Sequence, residues 1–224
     1  MLVRIFLFSL WATLCWGKVV SLDMCADQWV LCTYNKEQIG AVTFLSQKLQ
    51  ETSAKKIATH NGTTEEILAL QPTLLIADFL PSFNQRQHWN RHKIPLKILP
   101  KIFQLSDLRA RFPQARPLVF PSLGKGRLVF ILTQNLHSPG KATLWNEVLE
   151  KLGFVNGMAR LGREGWGYVS AEQILFLNPA LLIVFGTRTT FPPSLQSFPI
   201  KHIEERDYLC PSPEGLQRII ESLR

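Results

Sequence analysis

Four cysteines stand among 224 residues and no two form a Cys-x-x-Cys pair, so a structural zinc site has no ligand set here. No segment is of low complexity, and a balance of 46% hydrophobic to 19% charged residues is too apolar for a disordered chain. No run of five basic residues occurs. The 25 Lys and Arg against 17 Asp and Glu leave a net charge of +8 scattered along the chain. That pattern describes a solvated surface or a general attraction to anionic partners, and it excludes a nucleic-acid-binding tract. GKGR at 124–127 and SPGKAT at 138–143 lack the spacing of a phosphate-binding loop, and no Gly-x-Ser-x-Gly elbow is present. No nucleophile–base pair can be assembled, so no catalytic residue is nominated and no enzyme is expected. His88 and His92 share a helical face at i, i+4, but no glutamate lies between them as in His-Glu-x-x-His and no third ligand is evident. No metal site is expected either.

The one long apolar run is at the start. Residues 1–17, MLVRIFLFSLWATLCWG, carry a single charge at Arg4 and then about twelve apolar residues from Ile5 to Trp16. A bilayer core takes about twenty residues of helix to cross, so the run is too short for an anchor. Cys15 and Gly17 are small residues at the −3 and −1 positions of a cut before Lys18. The segment therefore reads as a signal peptide, and the mature chain as an exported protein. The alternative, lipidation at Cys15, is opposed by the bulky Leu14. Export places Cys25, Cys32 and Cys210 in an oxidising compartment. Cys25 and Cys32 are seven apart on a helix-like segment, about 10 Å along the axis, beyond the roughly 7 Å a disulfide spans. A bridge must then use Cys210 and one of the pair, leaving the other as a small buried apolar residue.

From Lys18 onward strand-like and helix-like segments alternate. KVVSL is a strand, Asp23 a helix N-cap, and MCADQWVLCTY the helix it opens. IGAVTFL, KKIATH, TLLIAD and IPLKIL follow as strands, with helices at TTEEILAL and FNQRQHWNRH. The second half restarts with strand RLVFILT and helix ATLWNEVLEKLG, closed by Gly153. GWGYV reads as a turn; then come helix SAEQILFL, strands ALLIVFG and IKHI, and a final helix SPEGLQRIIESLR. The class is α/β: two similar lobes with mainly parallel sheets. The expected organisation is an N-terminal lobe at 18–100, a proline-containing connector at 101–126 and a C-terminal lobe at 127–224. Pro113, Pro117 and Pro121 forbid a continuous helix in the connector, and at most LSDLRARF makes two turns before them.

Two stretches say the same thing. TTEEILALQPTLLIA (63–77) and SAEQILFLNPALLIV (170–184) are identical at eight of fifteen ungapped positions: Glu65/Glu172, Ile67/Ile174, Leu68/Leu175, Leu70/Leu177, Pro72/Pro179 and the Leu-Leu-Ile triplets. This is an internal repeat of one helix–Pro–strand unit in each lobe.

In order along the chain, VVSLDMCADQWVL, the two repeated stretches with GWGYV before the second, and YLCPSPEGL resemble segments of one family. It is the periplasmic substrate-binding proteins of ABC importers, of the vitamin B12, siderophore and haem group. The resemblance implies a bilobed clamp with a ligand cleft between its lobes, likewise without catalysis, that captures a ferric siderophore, haem or cobalamin-like ligand as a monomer and delivers it to permease subunits. It implies no cofactor beyond that ligand. Glu65 and Glu172 fall where relatives carry one exposed docking glutamate per lobe. Trp166, six positions before Glu172, falls where relatives contact ligand. By strand ends and loop positions His60, Asn61, Ser21, Asp23, Thr133, Asn135 and Arg188 join it as candidate ligand residues. The disulfide expected is Cys25–Cys210.

One departure is plain: relatives join their lobes through a long rigid helix, whereas here the connector is short and rich in proline, making this a short, divergent member. Two other readings use the same scaffold: a chelatase-like enzyme, for which His60 is the support, and a docking protein that carries no ligand.

Overall fold

The computed structural model describes residues 17–46, 57–133, 135–186 and 192–224. Residues 1–16 of the expected leader, with Cys15, and Arg188 lie outside the described residues. In the first half β1 (Val19–Ser21), α1 (Met24–Thr33), β2 (Ile39–Thr43), β3 (Thr59–His60), α2 (Thr64–Ala69), β4 (Leu74–Ala77), α3 (Phe83–Arg91) and β5 (Leu96–Ile98) follow the expected order. The five strands form one parallel sheet in the order β3-β2-β1-β4-β5.

In the second half β6 (Leu128–Leu132), β8 (Val155–Asn156), β10 (Leu181–Phe185) and β11 (Ile200–Ile203) form a parallel sheet in the order β11-β10-β6-β8. Its helices are α5 (Leu144–Lys151), α6 (Gly157–Arg160), α7 (Ala171–Leu177), α8 (Glu205–Leu209) and α9 (Pro213–Ser222). The repeat is thus topological as well as verbal: β2-β1-β4-β5 in one lobe matches β8-β6-β10-β11 in the other. Each repeated unit supplies the strand beside the lobe's first one.

Both repeated helices start and stop by the same local chemistry. Thr63 accepts from the Glu66 N–H and Ser170 from the Gln173 N–H, satisfying N-terminal donors that have no partner within the helix. Each ends on a left-handed residue, Gln71 at φ +50° and Asn178 at φ +46°. Pro72 and Pro179 come next, where no amide is available to continue the helix.

Alternation along the buried strands separates three apolar clusters. Val19, Ile76, Val129, Ile131 and Ile183 face a joint core that also takes Trp29 of α1, Trp145 of α5 and Ile219 of α9. Their neighbours point the other way: Val20 and Leu75 pack with Ile67 of α2, and Phe130, Leu132, Leu182 and Val184 with Ile174 of α7. The period of two along a strand produces this division. Each sheet puts one face on the shared interior and the other on its own lobe's repeated helix.

Between the lobes runs α4 (Leu105–Arg111), burying Leu105 and Leu108 in the joint core. The chain from 112 to 127 has neither helix nor strand, as the three prolines require. It is nonetheless held closely. The Trp29 indole donates to the Arg111 carbonyl at 3.0 Å, and the Arg111 guanidinium reaches Asp78 at 2.7 Å and the Pro100 carbonyl. Leu123 and Gly124 N–H groups donate to the Leu152 carbonyl at 2.9 and 2.8 Å. A side chain at 124 would meet Gly153 backbone atoms at 2.3 Å, so only glycine fits there.

Three expectations are corrected. GWGYV is not a turn: Trp166–Tyr168 is strand β9, paired antiparallel with β7 (His137–Pro139). Both strands are three residues long and pair only with each other, so local alternation is too brief to reveal them. Helix α8 was not anticipated. Finally, the Cys25–Cys210 bond is present, with Cα atoms 4.8 Å apart, but Cys32 is exposed rather than buried. It lies in the last turn of α1, where the helix leaves the core, with its Sγ 3.8 Å from a Glu214 carboxylate oxygen.

Candidate ligand-binding site

All strands of a parallel sheet end on one edge, and ligands of open α/β sheets sit outside those carboxyl ends. On the N-terminal lobe that edge carries a buried carboxylate that the sequence reading overlooked. Asp27, fully buried in α1, accepts from the Ser21 hydroxyl, from the Thr43 N–H at 3.0 Å and hydroxyl at 2.5 Å, and from the Ser46 hydroxyl at 2.6 Å. Desolvation holds its carboxyl above the usual carboxylate range, against the opposing pull of those hydrogen bonds. A signal existed: an acid one position from Ala26 and three from Val30 interrupts the apolar stripe of α1.

The polar residues nominated around this edge all have partners within the fold. Ser21 is fully buried on Asp27. His60 is 3% exposed; its Nε2 donates to the Ser21 carbonyl at 2.7 Å while Nδ1 accepts from the Gly62 N–H at 3.0 Å. Asp23 caps α1 through the Ala26 N–H and also accepts from the Asp78 and Phe79 N–H groups. Asn61 donates its backbone and side-chain N–H groups to Glu66 at 2.9 and 3.0 Å, holding the start of α2. With both ring nitrogens of His60 occupied, the chelatase-like reading loses its support.

What this edge presents instead is apolar. Phe44 and Leu45 follow β2 directly, Phe79 and Leu80 follow β4, and Phe83 opens α3; all five are exposed. Lys101 places its Nζ 4.2 Å over the Phe79 ring while bonding the Asp78 carbonyl at 2.8 Å. A cation so placed polarises an otherwise apolar floor.

The C-terminal lobe contributes the walls of a cavity of about 540 Å³, within the range of small-molecule sites. Ile102 and Phe103 from the chain after β5 border it, with Thr133 at the end of β6, Trp145 at the start of α5, Trp166 on β9 and Tyr208 on α8. Gly165, at φ +62°, turns the chain into β9. Pairing with His137–Pro139 then fixes Trp166, which is half-exposed. Tyr208 is buried, stacked on Trp145 at 5.2 Å and on Phe185 at 3.6 Å, with Trp166 edge-on at 5.4 Å. Desolvation raises its hydroxyl well above the ordinary phenol value, so it stays protonated. Thr143 caps α5 at the cavity wall.

Of the residues nominated from sequence, Trp166 and Thr133 come together on this cavity. Asn135 lies exposed in the turn after β6 and is not among the lining residues. Phe103, Trp145 and Tyr208 were not nominated. Each reads as an ordinary core aromatic in its own segment, and only their convergence marks them. Among the described residues no group of three His, Cys, Asp or Glu is placed to hold a metal. The walls offer stacking surface and no arrangement of nucleophile and base.

No family model matches the sequence, and no curated protein matches it. Solved structures do. Heme-binding HutB of Vibrio cholerae superposes with a TM-score of 0.70 at 16% identity, over 93% of this chain and 99% of that one. A possible iron-binding, periplasmic solute-binding protein of Staphylococcus epidermidis gives 0.67 at 19% identity, over 92% and 98%. The vitamin B12-binding protein BtuF of Vibrio cholerae gives 0.59 at 15%, over 92% and 96%. The chain has the bilobed fold of periplasmic solute-binding proteins. Among its described residues no helix is long and apolar enough to cross a membrane.

Proposed function

We propose that this chain is the periplasmic solute-binding component of an ABC importer, and that its ligand is a metal chelate with a broad, flat apolar face, of the haem or cobalamin kind. The observation that carries this reading is the aromatic wall of Phe103, Trp145, Trp166 and Tyr208 around the cavity. Phe44, Phe79 and Leu80 add exposed apolar surface at the carboxyl edge of the other sheet. Rings arranged in this way bind a flat partner by offset stacking and apolar burial. An open-chain siderophore bearing many polar groups would leave them unpaired against such walls. Solved proteins of the same fold that bind heme or vitamin B12 support the class.

The test is a titration of the purified mature chain with haem, cobalamin and a ferric siderophore, followed by absorbance and by tryptophan fluorescence. Haem or cobalamin should shift its own band and quench Trp166. Trp166→Ala should weaken binding by about tenfold to a hundredfold, the usual effect of removing a buried aromatic anchor, while leaving thermal stability nearly unchanged. No spectral change with any of the three would end the proposal. An unchanged affinity in Trp166→Ala, with a lowered melting temperature, would make Trp166 a packing residue instead.

Delivery needs a docking surface, and Glu65 and Glu172 are the candidates. Both are exposed in the first turn of the repeated helices, two residues after Thr63 and Ser170. A hydrogen bond from Ser170 holds the Glu172 carboxyl below its usual range, so it remains ionised. Matched carboxylates on two similar lobes suit a partner of two similar subunits. Glu65→Lys or Glu172→Lys should leave ligand affinity intact and weaken permease docking by about five- to a hundredfold, with high salt reproducing part of the loss. If both variants lose ligand binding, or neither changes docking, the two glutamates serve only to start their helices.

A further inference from the structure

The helix that carries Glu172 also carries an apolar side chain with nothing on it. Phe176 is 85% exposed, more than the other exposed large apolar side chains among the described residues, and Leu175 beside it is 41% exposed. Positions 172, 175 and 176 are spaced i, i+3 and i+4, so they form one face of α7. Ile174 on the other side is fully buried. The helix is held firmly, by the Ser170–Gln173 capping box, by Ile174 in its lobe's core and by the left-handed Asn178 at its end. Phe176 is therefore displayed from a rigid base, and leaving a phenyl ring in water stabilises nothing in the free protein.

The internal repeat supplies a built-in comparison. The matching face of α2 consists of Glu65, Leu68 and Ala69, so the position equivalent to Phe176 holds a methyl group. Charge is retained between the lobes and the apolar knob is not.

We infer that Phe176, flanked by Leu175 and Glu172, is the apolar anchor of the C-terminal lobe's contact with the permease. The occupant of this face is then a permease loop with a cation opposite Glu172 and an apolar socket opposite Phe176. This rests on the solute-binding reading above. The charge on the face favours that occupant over a second copy of this chain, because α7 carries no Lys or Arg and a copy of this face would offer Glu172 no cation. A knob on one lobe only also makes the two ends of the clamp distinguishable to a transporter that reads both glutamates.

The experiment uses the mature chain and phosphatidylcholine proteoliposomes carrying the importer's permease and ATPase subunits, with empty liposomes of the same lipid as the second arm. Phe176→Ala should lower binding to the loaded proteoliposomes by about tenfold to a hundredfold. Phe176→Leu should recover most of it, and haem titration of both variants should match wild type. Binding to empty liposomes should be weak and unaffected. If Glu65→Lys and Glu172→Lys weaken docking but Phe176→Ala does not, the anchor is wrong and the solute-binding reading stands. If none of the three affects docking, the reading beneath it fails too. Sedimentation showing that Phe176→Ala dissolves an oligomer while docking is unchanged would assign the face to self-association, and equal loss from empty liposomes would assign it to lipid; either overturns the inference.

Discussion

Replacing Cys25 and Cys210 together by alanine, or reducing their bond, should lower the unfolding free energy by about 5 kcal/mol, the chain-entropy value for so long a loop. The bond links positions 185 apart and joins α1 of the first lobe to the segment between α8 and α9. Cutting it releases the whole loop from Cys25 to Cys210 in the unfolded state, which is where most of the stabilisation arises in that description. Denaturant unfolding of the oxidised, reduced and doubly substituted protein measures the difference, and the slope should steepen as the unfolded ensemble expands. Cys32→Ser is the control. That thiol is exposed and outside the bond, so its removal should change stability by less than about 0.5 kcal/mol. A loss below about 1 kcal/mol on reduction would mean that the joint core, rather than the bond, keeps the lobes together. That core is substantial, since Trp29, Ile76, Trp145 and Ile183 from both halves meet in it.

The second large effect is expected at Asp27. Asp27→Ala removes the acceptor for one backbone N–H and three hydroxyls at the carboxyl edge of the first sheet. An unsatisfied buried donor costs about 1–3 kcal/mol, and hydroxyls turn to find other partners more readily than the Thr43 amide does. The total should be about 3–5 kcal/mol, with Asp27→Asn losing less because one acceptor remains. The pH dependence has a definite sign. The folded carboxyl lies above its ordinary value of 3.8 because desolvation outweighs the donors, so the native state holds this proton more tightly than the unfolded chain. Its contribution favours folding below 3.8 and is lost as pH rises through the raised native value. The stability difference between wild type and Asp27→Asn should therefore shift against wild type over that window. A difference independent of pH would show that Asp27 keeps one ionisation state throughout.

Asp27 also shows what no single segment discloses about the N-terminal edge of the site. Ser21, Asp23 and His60 do lie at the ends of the expected strands, and strand ends are where ligands bind. Whether a side chain at such an end turns outward or inward is decided by what else needs it. A carboxylate buried without a cation needs hydroxyl donors, and the Ser21 backbone needs the His60 imidazole. These requirements come from α1, β2 and β3 together, and no window of the chain contains all of them.

The sequence by itself determined the features whose causes lie within a few residues of one another. Thr63 and Ser170 cap their helices, Pro72 and Pro179 follow the stops, and apolar runs mark the central strands, so the repeat and its α/β class are legible. The three connector prolines likewise limit α4 by local sterics alone. The separation of Cys25 from Cys32 along one helix directed the bond to Cys210 by distance alone. Tertiary structure decided the rest. Strand β9 exists only because His137–Pro139 lies beside it. The cavity exists only because Phe103, Thr133, Trp145, Trp166 and Tyr208 converge from five segments. Phe176 is exposed only because Ile174 takes the buried side of α7. Caps, stops and alternation act through bonds and sterics that span a turn or a strand, whereas a site is made of surfaces that meet after the chain has folded back across more than a hundred residues.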